Sequence, residues 1–82
     1  MRKFVQIYGV GERKRGVGKK TGKKYDFTEI SIGYEADGVA GLKCETVAID
    51  ADIIGDRVIA LGDTLELVMH QANFKTYVDA IL

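Results

Sequence analysis

Residues 13–24 read Arg-Lys-Arg-Gly-Val-Gly-Lys-Lys-Thr-Gly-Lys-Lys, and residues 25–34 continue Tyr-Asp-Phe-Thr-Glu-Ile-Ser-Ile-Gly-Tyr. The first stretch sets Gly16, Gly18 and Gly22 among seven cations, which reads as a hairpin or flexible loop. The second alternates as a strand does. Ile30, Ile32 and Tyr34 fall on one face, and Tyr25, Phe27, Glu29 and Ser31 on the other. Upstream, Phe4–Tyr8 alternates in the same way, so the basic segment joins two strands.

The rest of the chain repeats this grammar. Leu42–Ile49 reads as a third strand, after a turn at Asp37-Gly38. Asp50–Asp56 is a connector with room for one helical turn, and Arg57–Leu61 a short extended run. Thr64–His70 is a strand with Leu65, Leu67 and Met69 facing the core. Gln71–Asn73 turns the chain into a last strand, Phe74–Leu82, with Phe74, Thr76, Val78 and Ala80 on one side. Five or six short strands without a long amphipathic helix point to an all-β fold. The expected architecture is one domain over residues 1–82, a small five-stranded OB-fold barrel with a protruding basic β-hairpin. A small SH3-like barrel fits less well, because the second strand is long.

Charge is unevenly distributed. The formal net charge is zero, but residues 1–25 hold nine Lys/Arg against one acid, and residues 26–82 hold three against eleven. Such a chain presents a cationic lobe that attracts a polyanion. Arg13, Lys14, Arg15, Lys19, Lys20, Lys23 and Lys24 can track a flexible phosphate backbone, and Tyr25 and Phe27 beside them can stack on exposed bases. The competing reading is a solvated hairpin whose lysines prevent edge-to-edge aggregation.

Catalytic and metal-binding patterns are missing. His70 is the only histidine and reads as a strand-end surface residue. Cys44, the only cysteine, reads as a small buried side chain with no internal disulfide partner. The Asp50–Leu61 stretch lacks the glutamate of a calcium loop, and Thr21 stands where a phosphate-binding P-loop needs glycine. These absences lead to the expectation of no enzymatic activity, no metal and no small-molecule cofactor. No apolar run approaches a membrane span, and the first residues lack the form of a secretory signal, so the expected location is cytoplasmic.

The order Arg15, Lys20, Gly22, Lys23, Tyr25, Glu29 resembles the DNA-binding wing of the filamentous-phage gene V-like helix-destabilising proteins. Leu42–Val47 resembles that family's next strand, and Leu61–Leu65 its penultimate turn. The resemblance implies an OB-fold homodimer in a bacterial host cytoplasm, coating single-stranded DNA without sequence preference during replication. It implies that Arg15, Lys20 and Lys43 contact phosphates and that Tyr25 stacks on a base. It also implies that Tyr34 faces the DNA, whereas alternation puts Tyr34 in the core. Phe74 is similar to an aromatic of the family's last hairpin; by position alone it is either core or exposed. The last hairpin here is shorter than the family's, and Ala80 stands where the family has an arginine. Two other readings stay open: a small RNA-binding OB or cold-shock-like module, and a protein–protein adaptor whose basic hairpin docks an acidic partner.

Overall fold

The computed structural model describes all 82 residues. Five antiparallel strands form one sheet: β1 (Arg2–Val17), β2 (Lys24–Tyr34), β3 (Lys43–Asp50), β4 (Thr64–Ala72) and β5 (Lys75–Ile81). One helical turn, α1 (Ala51–Ile54), joins β3 to β4. The order across the sheet is β3-β2-β1-β4-β5. The fold is therefore all-β, as the alternation of the chain requires. No helix is long and apolar enough to cross a membrane.

The expected barrel differs in one respect. The sheet curls but does not close, because β3 and β5 share no hydrogen-bonded ladder. Side chains span the gap instead. Glu45 of β3 accepts from Thr76 Oγ1 of β5 at 3.0 Å and from the Tyr34 hydroxyl of β2 at 2.5 Å.

The inner face of the curled sheet is the core. Val5 and Ile7 (β1), Ile30, Ile32 and Tyr34 (β2), Val47 and Ile49 (β3), Leu67 and Met69 (β4), and Val78 and Ile81 (β5) form one buried cluster. Ile53 and Ile54 of α1, with Ala36, Ile59 and Leu65, pack against it. Burying each large aliphatic side chain is worth about 1.5–3 kcal/mol, so this single layer of contacts carries the domain.

Three expectations are corrected. Arg57–Leu61 forms no strand; Asp63 Oδ2 accepts from the Ala60 amide and folds the segment into a turn. The last strand starts at Lys75, and its buried residues are Val78 and Ile81. Strict alternation fails there because the β4–β5 register shifts between Val68 and Met69. Cys44 is exposed: it alternates with Glu45 and Val47, which face inward, so it lies on the outer surface.

The β1–β2 ladder runs past the core. Its last pairs, Arg13↔Thr28 to Val17↔Lys24, carry the basic segment outward as a wing. The radius of gyration is 13.3 Å, with a long axis of 42 Å. A compact chain of this size has a radius near 12 Å, so the elongation fits a projecting hairpin.

Candidate nucleic-acid interface

The wing is built by local chemistry. The Gly18 amide donates to the Lys23 carbonyl at 2.8 Å, and the Gly22 amide to the Gly18 carbonyl at 2.9 Å. Gly22 has φ of 66°, a left-handed conformation that glycine adopts without strain. Lys19, Lys20 and Lys23 therefore project from a closed turn rather than a loose loop.

The seven wing cations divide into two groups. Arg13 grips Asp26 with two parallel hydrogen bonds, Nε to Oδ1 at 2.7 Å and Nη2 to Oδ2 at 2.5 Å. Lys14 Nζ donates to Glu29 Oε1 at 3.1 Å. Both were expected to contact phosphates, and both are committed within the chain. Arg15, Lys19, Lys20, Lys23 and Lys24 are exposed and lie in no ion pair. The guanidinium of Arg13, mainly through its hydrogen bonds, holds the Asp26 carboxyl below the usual carboxylate range. That stabilisation is complete above the ordinary value of 3.8 and fades as acid protonates Asp26. Converting Asp26→Asn weakens the grip and frees Arg13. The expected result is a steeper dependence of log affinity on log salt for single-stranded oligonucleotides, by about 0.7 units for one added phosphate contact.

Tyr25 sits directly across from Gly16. A β-carbon at Gly16 would lie 2.5 Å from the Tyr25 Oη and 2.8 Å from its Cζ, so the ring is laid on the glycine backbone. The residue remains 45% exposed, which leaves ring surface open beside the free cations. Phe27 follows on the same outer face, its ring centroid 5.8 Å from that of Tyr25 and tilted by 44°. Sequence reasoning found both aromatics but missed Gly16 as the seat of the first, because the pairing depends on register.

Tyr34 is not part of this surface. It is 2% exposed, on the inner face with Ile30 and Ile32, and its hydroxyl is donated to Glu45. The DNA-facing position implied by the resemblance is overturned, and the alternation reading stands. Lys43 pairs across the ladder with Tyr34, its Nζ 3.8 Å from Glu45 Oε1, so it belongs to the seam between β3 and β5 rather than to the wing.

Phe74 stands apart at the tip of the β4–β5 hairpin. It is fully exposed and overhangs a groove that Glu29, Thr46 and Ala48 line from the other side. Ala72 pairs with Lys75, leaving a two-residue loop in which Asn73 and Phe74 have φ of 53° and 63°. This is the type I′ form, whose second position favours glycine; a bulky residue there costs on the order of 1–3 kcal/mol. Phe74→Gly is therefore expected to raise stability by about 1 kcal/mol, read as a higher urea midpoint at unchanged slope.

On the far half of the outer surface, His70 stacks on Tyr77 at 5.2 Å, and its Nδ1 lies 2.8 Å from both carboxylate oxygens of Asp79. No hydroxyl or thiol nucleophile is hydrogen-bonded to this pair. Nor does any group of three or more His, Cys, Asp or Glu side chains converge as a metal site. Comparison with protein-family models, with curated proteins and with solved structures finds no match to this chain.

Proposed function

We propose that this protein binds single-stranded DNA without sequence preference and without catalysis, coating it as the gene V-like helix-destabilising proteins of phages and mobile elements do. A homodimer in the host cytoplasm is part of that proposal. The observation that carries it is the Tyr25 ring, seated on Gly16 with surface left open, beside five exposed cations, Arg15, Lys19, Lys20, Lys23 and Lys24, that form no ion pair. Cations that neutralise phosphates and release counterions supply affinity, and an open aromatic face takes any base. Double-stranded DNA buries its base faces and cannot use Tyr25, so the single strand is the preferred form.

The test is fluorescence anisotropy with labelled oligo-dT over a range of salt, with duplex DNA and oligo-U as competitors. Salt-sensitive binding that duplex does not displace is expected. Tyr25→Ala should cost about 1–3 kcal/mol of that binding with the salt slope unchanged. Equal competition by duplex, or no binding at low salt, would overturn the proposal. Displacement by oligo-U alone would redirect it to RNA.

A further inference from the structure

The wing is not the only place where a tyrosine lies on a glycine. β1 carries an irregularity: Ile7 pairs with Ile32, but Gly9 pairs with Ser31, which leaves Tyr8 as an extra residue in the ladder. Bulges of this kind re-aim a side chain. Here the ring is turned onto Gly33 of β2. A β-carbon at Gly33 would meet Tyr8 Cε2 at 2.5 Å, and the Tyr8 hydroxyl is donated to Gln6 Oε1 at 2.8 Å. The ring is thus held by glycine below and glutamine at its rim, yet Tyr8 remains 53% exposed.

Its surroundings are open. Gly9, Ser31, Cys44 and Thr46 share the outer face, all with short side chains or none. A groove lined by Phe4, Gln6, Gly33, Leu42 and Thr64 runs alongside, and Phe4 is itself 68% exposed. Packing accounts for a ring that covers a strand glycine. It does not account for two such rings on one outer face, each with surface left to solvent. Eight residues of β1 separate Gly16 from Tyr8, about 26 Å at the usual strand rise, which lies within the span of one OB-type binding site of about 4–16 nucleotides.

We propose that Tyr8, with Phe4 beside it, is a second base-stacking subsite, and that a single strand engaged by the wing continues along the outer face of β1 to reach it. This rests on the reading above, because the occupant is the same nucleic-acid strand. The ligand is fixed by one outer face that carries the free cations of the wing, then the neutralised Lys14–Glu29 pair, then the short side chains of Ser31 and Thr46, and then a second exposed ring.

Cys44 offers a native reporter. It is exposed and pairs across the ladder with Gly33, the glycine beneath the Tyr8 ring. The experiment measures the rate of Cys44 modification by a thiol reagent, with and without saturating oligo-dT of about 16 nucleotides. Saturation is fixed independently by anisotropy on the same sample. The expected result is at least tenfold slower modification of the bound protein. Tyr8→Ala should weaken binding of the same oligonucleotide between about fivefold and a hundredfold at an unchanged salt slope, and Tyr8→Phe should restore it. Undiminished reactivity of Cys44 at saturation would overturn the second subsite and leave the wing reading intact. Failure to bind at all would remove both. Protection that rises with protein concentration alone would make this face a contact between copies, and would also overturn the subsite.

Discussion

Alanine at Lys19, Lys20, Lys23 and Lys24 together lowers the slope of log affinity against log salt by about three units, from four lost phosphate contacts on a single strand. The same variant loses on the order of a hundredfold or more in affinity at 50 mM salt, because counterion release is the part of the binding free energy that these side chains supply. Stability changes little. All four are exposed and none is in an ion pair; the turn that holds Lys19, Lys20 and Lys23 is closed by the backbone of Gly18, Gly22 and Lys23, and Lys24 opens β2. Surface changes of this kind stay within about 0.5 kcal/mol. The contrast with Arg13 and Lys14 makes the prediction specific. Those two are counted as cations by the sequence but spend their charge on Asp26 and Glu29. Alanine at both should move the slope far less than alanine at any two of the four lysines. Equal effects would mean that the ion pairs open on binding.

Tyr34→Ala produces the largest loss of stability. The side chain fills the core beside Ile32 on β2 and, through Glu45, connects β2 to the seam with β5. Truncating a buried aromatic costs about 3–5 kcal/mol. A domain of this length has a total of about 4–12 kcal/mol, so the variant is marginal or unfolded. Tyr34→Phe separates the two contributions. It keeps the ring and removes one hydrogen bond to a carboxylate, for an expected cost of about 1.5–3 kcal/mol. Oligo-dT affinity of the folded Phe variant should match the parent, because the hydroxyl points into the seam. The same geometry gives a pH signature. Burial first, then the Glu45 carboxylate, pushes the Tyr34 hydroxyl up from 10 to about 12. The folded protein holds this proton more tightly than the unfolded chain does. Its stabilisation is therefore complete below pH 10 and is lost as pH rises towards 12. Urea midpoints across that range should fall more steeply for the parent than for Tyr34→Phe.

Much of this was legible in the chain, for identifiable reasons. The strand pairs at the wing follow from alternation in Phe4–Tyr8 and Tyr25–Tyr34 around a glycine-rich basic turn, and those are local signals. Tyr34 was also legible: its parity with Ile30 and Ile32 outweighs the resemblance that would turn it towards DNA. What the sequence hid was set by register between strands. Asp26 and Glu29 face Arg13 and Lys14 only because the β1–β2 ladder shifts between Val10 and Arg13. Gly16 becomes the seat of Tyr25 only in that alignment, and Gly33 the seat of Tyr8 only through the separate shift between Ile7 and Gly9. Ile81 is buried because a shift in the β4–β5 ladder breaks parity, and Cys44 is exposed because its parity is that of the outer face. The failure of the barrel to close is equally non-local, since it depends on how far β3 and β5 approach across the β3–β4 connector and the β4–β5 hairpin.

The most direct test of the central claim is a two-dimensional amide NMR titration of the protein with oligo-dT at low salt. The amides of Arg15–Tyr25, together with Phe27, are expected to shift as the strand binds, while core amides such as those of Val5, Ile30 and Leu67 stay in place. A titration that leaves the wing amides unmoved, whatever else shifts, would contradict the claim.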